Sequence, residues 1–330
     1  MIDKIDTPLT EMLGIKYPII AAPMFLVSNT KMTIEAVNSG ITGAIPALNY
    51  RTIPEFEIAL KELKDANCKP FGINLIVNKS NFKFMEQLRV CVDYNVDYII
   101  TSLGSPKPVI DDCKPKGIKI FCDVVDENYA KKVEDLGADA LIAVNSKAGG
   151  HPGPTTANHL IPKLNEVCDI PVISAGGIGN GTGVKKMLDL GACGLSIGTL
   201  FIACEEAQIS QEYKQAIIDH GADDIVMTTK LSGSPCTVIN TPFVQEIGTR
   251  QSWIESILNK NKKLKKYAKM VTAYKGFKML RNSAFKATYK NMWCAGPSCE
   301  FVNEIKPVSK IVADLLHEYE NTVSNEMEIA

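Results

Sequence analysis

The chain of 330 residues is poor in the features that mark membrane, secreted and metal-binding proteins. No apolar run reaches the roughly 18–20 residues that a membrane-spanning helix needs. The opening segment, MIDKIDTPLTEML, mixes acids, bases and a proline, which is untypical of a signal peptide. Only four histidines occur, and no cysteine pair stands at a metal-ligand spacing with them. We therefore expect a cytoplasmic protein with no membrane segment and no metal site.

The chain also lacks an excess of charge of either sign. The chain has 36 basic and 37 acidic residues, for a formal net charge of −1. Such a balance gives no overall attraction to nucleic acid or to an anionic membrane surface. The ten cysteines are scattered, several of them inside apolar patterns, where a thiol behaves as a small hydrophobe. We expect them to be reduced thiols.

What the chain does have is a regular alternation of short apolar runs with amphipathic segments of about 10–15 residues. With 45% hydrophobic residues it can bury one large α/β core or two smaller ones. Eight β-then-α units with strands buried on both faces favour a closed parallel TIM (β/α)8 barrel over an open doubly wound sheet. The predicted strands are 18–22, 41–46, 70–75, 98–103, 119–124, 140–144, 171–175 and 194–199.

The most informative stretch runs from Ala140 to Gly153, as ALIAV followed by NSKAGGHPG. Gly149 and Gly150 directly precede His151. Because glycine has no Cβ, the backbone there can approach a flat ligand closely. An imidazole titrates near neutral pH and can hydrogen-bond from either ring nitrogen. The pattern predicts chemistry above a cofactor, with His151 as the catalytic residue. The alternative is a tight strand-to-helix turn with a surface histidine.

Functional residues of such barrels lie just past the strand ends. Glycine turns follow the seventh strand (SAGGIGNGTG) and the eighth (IGTLF). Their free backbone N–H groups could converge on a phosphate, helped by the following helix N-termini. The alternative is that these glycines only close tight βα turns. The predicted phosphate-binding residues are Gly176, Gly177, Gly198 and Thr199.

These motifs together resemble the nitronate monooxygenase family, formerly called 2-nitropropane dioxygenases. The matching stretches, in order, are AAPM, PFGINL, KIFCDV, GADALIAVNSKAGGHPG, PVISAGGIGNG, GACGLSIGTLF and DDIVMTTKLSGSP. The resemblance implies an FMN-bound TIM barrel. The same flavoprotein superfamily contains an enoyl-acyl-carrier-protein reductase and NADH:quinone reductases, so the glycine-histidine turn identifies the cofactor better than the reaction.

The resemblance also implies roles for individual positions. Asn74 would hydrogen-bond the pyrimidine side of the flavin, and His151 would face the substrate near the flavin N5. Asp123 stands where some relatives carry a lysine, and an acid there would disfavour the anionic reduced flavin. The residues expected along the isoalloxazine ring are Ala22, Pro23, Met24, Ala148, Gly149 and Gly150, while Gly176, Gly177, Gly198 and Thr199 would hold the phosphate.

Beyond Phe201 the alternation is lost, and residues 256–299 contain many lysines and no acid. We expect a barrel core of residues 1–205 completed by 292–330, and a mainly helical segment of 206–291 that covers the substrate. The basic run within it, 260–290, is either a solvated helical face or a cationic lid that attracts an anionic substrate.

Three functions are consistent with these residues. The first, favoured by the resemblance, is FMN-dependent oxidation of alkyl nitronates with O2. The second is an NAD(P)H-dependent FMN reductase acting on quinones or enoyl-acyl-carrier-protein thioesters. The third is a flavin-free barrel that binds a phosphorylated metabolite, although no paired carboxylates at the strand ends support it. The expected partners are a small nitronate-like anion and O2, with NAD(P)H in the second case, and a homodimer as the assembly to test.

Overall fold

A computed structural model describes residues 2–78, 81–231, 233–250, 275–276, 278–285 and 291–329. Eight parallel strands close into a barrel in sequence order, which confirms the predicted TIM (β/α)8 fold. The strand bounds agree with the apolar runs of the sequence to within two residues. They are β1 Ile19–Ala21, β2 Thr42–Pro46, β3 Phe71–Ile76, β4 Tyr98–Ser102, β5 Lys119–Val124, β6 Ala140–Val144, β7 Val172–Ala175 and β8 Gly194–Ile197.

Helices connect the strands and surround the barrel. Side-chain caps fix several of their starts: Thr52 and Glu55 form a capping box on α3, while Asp126 and Asn180 accept backbone N–H groups on α6 and α8. The helices are α1 Pro8–Leu13, α2 Thr30–Asn38, α3 Ile53–Asp65, α4 Phe84–Asp93, α5 Lys107–Cys113, α6 Glu127–Leu136, α7 Ala157–Val167, α8 Gly181–Asp189, α9 Thr199–Ile202, α10 Gln211–Asp219, α11 Pro242–Ile247 and α12 Val308–Ile329.

The barrel interior is packed with side chains. Alternate strand residues form an inner cluster that includes Ile100, Ile142 and Ile173, whereas the intervening residues pack outward against the helices. Near the amino end of the barrel, Tyr98 and Phe121 stack with ring centroids 5.0 Å apart. This filled interior leaves the carboxyl end of the barrel as the place for a site.

A two-stranded antiparallel sheet interrupts the region predicted to be mainly helical. Its strands are β9 Ile225–Thr228 and β10 Cys236–Ile239. β10 also pairs with the turn after β6, through Gly150 and Thr237. Through Val238 and Cys294 it pairs with residues 292–298, the returning loop that leads the chain back to the barrel. The hairpin therefore joins the predicted lid region to the glycine-histidine turn.

The structure describes only part of the basic run that was predicted as a possible lid. Residues 260–274, 277 and 286–290 of the basic run lie outside the described residues, so the lid role stays a prediction. Of the described part, residues 278–285 are helical, and the carbonyl of Ala284 accepts the backbone N–H of Ser210. None of the described helices has the length and apolar character needed to cross a membrane.

Gly72 of β3 provides a test of the barrel interior. A Cβ at this position would lie 2.1–2.6 Å from the ring of Tyr98, whose hydroxyl is bound to Gly43 and Thr42 and cannot move freely. We predict that Gly72→Ala lowers the free energy of unfolding by about 1–3 kcal/mol or more, measured by urea denaturation. Gly221→Ala is the control, since a Cβ there meets open space. Equal stability of the two variants would contradict this packing.

Candidate functional site

The turn after β6 is held in place by Asn145, a buried residue that the sequence analysis did not single out. Its side-chain carbonyl accepts the N–H of Lys147 at 2.8 Å, and its amide donates to the carbonyl of Gly176 at 2.9 Å. Its backbone carbonyl accepts the N–H groups of Ala148 and Gly153. An asparagine that ends a strand often forms such a turn. Asn145 thus ties the β6 turn to the β7 turn.

The turn after β6 also packs closely against residues that follow β7 and β8 and against the returning loop. A Cβ on Gly176 would lie 2.5 Å from the N of Ala148, and one on Gly149 would lie 2.9 Å from the N of Gly296. The Thr199 hydroxyl accepts the N–H of Gly296 at 3.0 Å. These residues therefore need small side chains because the turns pack against one another.

Gly149 and Gly150 differ in what their missing side chains face. The Cβ position of Gly149 is taken by Gly296, so its small size is explained by protein packing. Gly150 has a φ of +78°, and a Cβ there would meet nothing within 4 Å. At Gly150, by contrast, the missing side chain leaves open space beside the backbone. Contact of either glycine with a flavin stays a prediction.

The expected phosphate-binding groups lie close together. Gly176 and Gly177 have φ values of +112° and +74°, and within the described residues their N–H groups, like those of Gly198 and Thr199, meet no acceptor. A Cβ on Gly177 would lie 2.8 Å from the Cβ of Lys147, so the stem of this exposed lysine runs along the turn. Free amides beside a cationic side chain suit a phosphate. Sequence reasoning missed Lys147.

The β1 turn meets the β8 turn on the same rim. An ideal Cβ on Gly198 would lie 3.4 Å from the Met24 sulfur and 3.7 Å from the Ala22 Cβ, which is ordinary contact. Pro23 lies between them and is partly buried. The structure therefore brings the predicted residues of β1, β6, β7 and β8 to one rim.

Asn74 and Asp123 occupy the β3–β5 part of the rim, and Ser102 connects them. The Asn74 amide donates to the Ser102 Oγ at 2.8 Å, and the Ser102 hydroxyl donates to Asp123 Oδ2 at 2.5 Å. Burial raises the pKa of Asp123 to about 6, and the hydrogen bond from Ser102 opposes that rise. Ser102 was not among the predicted site residues.

His151 follows Gly150 on the turn that β10 pairs with. The residue is exposed to solvent, yet the surrounding protein desolvates its imidazole and lowers its pKa below the ordinary value. The ring is therefore neutral at pH 7 and can accept a proton. His220 hydrogen-bonds the carbonyl of Ala216, and His317 hydrogen-bonds the side chain of Asn321 on its own helix.

Other parts of the described surface offer weaker candidates. Three depressions are lined by the outer face of α6, by the amino end of the barrel near Tyr17 and Lys69, and by residues around Asn180 and Glu318. None of them contains a predicted site residue. Among the described residues, no group of His, Cys, Asp and Glu side chains is placed to hold a metal ion.

Comparison with known proteins identifies the family. A model of the nitronate monooxygenase family matches residues 79–318, well over half of the chain. The chain belongs to the nitronate monooxygenase family. It is therefore an oxidoreductase, and the matched region includes the turns after β6, β7 and β8.

Individual relatives agree with this family but differ in their reactions. A probable nitronate monooxygenase of Staphylococcus haemolyticus is 30% identical, over 73% of this chain and 80% of that protein. A carboxyl-CoA dehydrogenase of Rhodococcus jostii, named for a hydroxy-methyl-oxo-octahydroindene substrate, is 29% identical over 73% of this chain and 67% of that protein. The names of these two relatives give different reactions.

Solved structures match the whole chain. FabK from Thermotoga maritima has a TM-score of 0.87 and 28% sequence identity, covering 99% of this chain and 100% of that one. A nitroalkane oxidase from Streptomyces ansochromogenes has a TM-score of 0.79, but its 22% identity supports the fold alone. The likeness to FabK extends beyond the barrel to the hairpin and the C-terminal helix, since nearly all of both chains is covered.

Gly176 provides a test of the predicted phosphate site. Gly176→Ala would force the turn away from Ala148, and we predict at least a tenfold loss of FMN affinity, measured by quenching of flavin fluorescence. Gly117→Ala is the matched control, because it has a similar positive φ of +75° but meets no atom within 4 Å and lies at the other end of the barrel. Unchanged FMN affinity in a folded Gly176→Ala variant would place the phosphate elsewhere.

Proposed function

We propose that the chain binds FMN at the carboxyl rim of the barrel and oxidises alkyl nitronates, such as propionate 3-nitronate, with O2. The observation that carries the proposal is the match to the nitronate monooxygenase family across the β6, β7 and β8 turns. The 30% identity with the staphylococcal protein supports the same assignment.

The residues of the rim fit FMN chemically. Four amides without acceptors among the described residues, together with Lys147, offer donors to a phosphate. On the β3–β5 side, Asn74 and Asp123 offer oxygen acceptors to the polar half of an isoalloxazine ring. When bound, FMN supplies the electron acceptor, while the protein orients the substrate and sets the electrostatics.

The role of His151 follows from its lowered pKa and its exposed position. A neutral imidazole can donate one hydrogen bond to a nitronate oxygen. With a neutral nitroalkane as substrate, the same ring can take the α-proton as a general base. Only proton abstraction requires the ring to be uncharged before the substrate binds, because an imidazolium can still donate a hydrogen bond.

A second function is favoured by the likeness to FabK over the full length of both chains. In this case the chain would be an NAD(P)H-dependent FMN reductase that acts on an enoyl thioester or a quinone. The Rhodococcus relative, whose name is that of a carboxyl-CoA dehydrogenase, is consistent with a thioester substrate. The two proposals share the cofactor and differ in the electron donor.

Anaerobic stopped-flow reduction distinguishes them. We predict that propionate 3-nitronate bleaches the flavin of the purified holoenzyme rapidly, whereas NADH and NADPH do so slowly or not at all. Fast bleaching by a nicotinamide, with no reaction of the nitronate, would overturn the first proposal and support the second. A colourless protein that takes up no FMN would overturn both.

The variant His151→Asn tests whether His151 acts as a general base. The amide retains hydrogen-bonding capacity but cannot accept the proton, so we predict that oxidation of neutral nitroalkanes slows by roughly 10²–10⁴-fold, and that of preformed nitronates far less. Steady-state kcat/KM for both substrate forms measures this difference. His159→Asn, a change at an exposed histidine on α7, is the control. Equal losses on both substrate forms would assign His151 to binding or orientation.

A further inference from the structure

Asn74, Ser102 and Asp123 form a hydrogen-bonded chain whose direction is fixed by the structure. The Asn74 amide donates to two acceptors, the Ser102 Oγ at 2.8 Å and the carbonyl of Ile100 at 3.1 Å. A carbonyl can only accept, so the amide nitrogen must face Ile100. The Ser102 Oγ accepts from Asn74 and gives its own hydrogen to Asp123 Oδ2.

This direction leaves two oxygens without a partner among the described residues, Asn74 Oδ1 and Asp123 Oδ1. Neither of them is a buried unsatisfied atom, so both are reached by solvent. Strand alternation places Asn74, Ser102 and Asp123 on the inner face of the barrel, since their outward neighbours Leu75, Thr101 and Cys122 are buried in or against the outer layer. The two oxygens therefore face the carboxyl mouth.

Burial and the hydrogen bond from Ser102, and no neighbouring charge among the described residues, set the pKa of the Asp123 carboxyl. Asp123 forms no ion pair within the described residues, and burial raises its pKa to about 6. The charge of Asp123 raises the pKa of two neighbouring groups, Tyr129 of α6 and Cys122. The Tyr129 hydroxyl donates to the carbonyl of Gly104. Cys122 faces the outer layer and accepts from Thr101. On the neighbouring β6 turn stands His151, whose pKa is lowered by desolvation alone.

We propose that the Ser102–Asp123 pair is a proton-holding group for the bound flavin, which takes up one proton at Asp123 when the cofactor accepts two electrons. The inference rests on the proposed binding of FMN. The hydrogen-bonding ring atoms of a flavin are N5 and those of its pyrimidine half, and Asn74, Ser102 and Asp123 offer hydrogen-bond partners for them on β3–β5. An anionic reduced ring and an ionised Asp123 repel each other there, and protonation of the carboxylate removes that repulsion.

The balance of protons and electrons is simple. Reduction of the ring to its anion consumes two electrons and one proton, and Asp123 consumes a second proton as its carboxylate becomes a carboxylic acid. The complex therefore takes up two protons with two electrons across the neutral pH range. Without the carboxylate, only one proton accompanies the two electrons there. Ser102 is a positioning residue, since its hydrogen bond stabilises the ionised carboxylate.

The midpoint potential of the FMN holoenzyme against pH tests the proposal. Each proton taken up in a two-electron couple adds about 30 mV for a tenfold change in proton concentration. In the neutral range we expect the slope for the wild type to be about twice that for Asp123→Asn. Ser102→Ala should keep the steep slope but shift its inflection to higher pH, because loss of the hydrogen bond raises the pKa of Asp123.

Asp139→Asn is the matched control, because Asp139 is a partly buried acid next to a strand at the other end of the barrel, where it accepts the N–H of Ile120. Its slope should equal that of the wild type. Equal slopes for the wild type and Asp123→Asn would overturn the inference while leaving FMN binding intact. If no variant or wild-type protein binds FMN, the proposed function itself has failed.

A readout without the cofactor separates a failed inference from a failed cofactor assignment. The folded-state pKa of Asp123 lies above its unfolded value, so the contribution of Asp123 to native stability should fall as pH rises from about 4 to about 6 and level off above that. The Tm of the apoprotein with Asp123→Asn should therefore exceed that of the wild type at pH 8 and approach it at pH 4. A Tm difference independent of pH would show that Asp123 does not hold a proton in this range.

Discussion

The site depends on the five hydrogen bonds of Asn145. Its side chain joins the turn after β6 to Gly176, and its backbone shapes the turn by accepting from Ala148 and Gly153 and donating to Ala175. Each such bond contributes about 0.5–1.5 kcal/mol, but an unpaired buried amide would cost more. Through its bond to Gly176, Asn145 holds the β6 and β7 turns together where Gly176 packs against Ala148.

The turn after β6 contacts neighbouring parts of the rim on both of its sides. Toward β8, Gly149 meets Gly296, which donates to Thr199. Toward the lid region, Gly150 accepts from Thr237 of the hairpin. The hairpin and the returning loop are thus attached to the same turn that carries His151, the proposed catalytic residue.

The opposite side of the rim has a different character. Backbone amides and Lys147 give the β7–β8 side a positive potential, while Asn74 and Asp123 give the β3–β5 side oxygen acceptors. A ligand with an anionic end and a hydrogen-bonding ring matches this distribution. The polar chain through Ser102 also gives the family scaffold a place to hold a proton.

Much of the fold could be predicted from the sequence because buried parallel strands appear as short apolar runs with a regular spacing. The β5 strand agrees with its run residue for residue. The hairpin could not be predicted in this way, since β9 is only partly buried and β10 gains its position from long-range pairing with Gly150 and Cys294.

The site was predicted less completely, for a physical reason. Glycine turns and a histidine stand out in a sequence, whereas Asn145 and Ser102 are common residue types whose roles depend on partners far along the chain. One signal was present: by strand alternation Ser102 lies on the same face as Tyr98 and Ile100, and Asp123 lies on the same face as Phe121. Gly149 was predicted from its possible contact with a ligand, and the sequence could not show that its small size also allows close contact with Gly296.

The central claim is that the amides of the β7 and β8 turns hold the phosphate of FMN. Equilibrium titration of the apoprotein with FMN and with riboflavin, which lacks the phosphate, tests it most directly. Two or more charge-assisted hydrogen bonds at about 1.5–3 kcal/mol each should make FMN bind at least about 100-fold more tightly. Equal affinities for the two flavins would contradict the account.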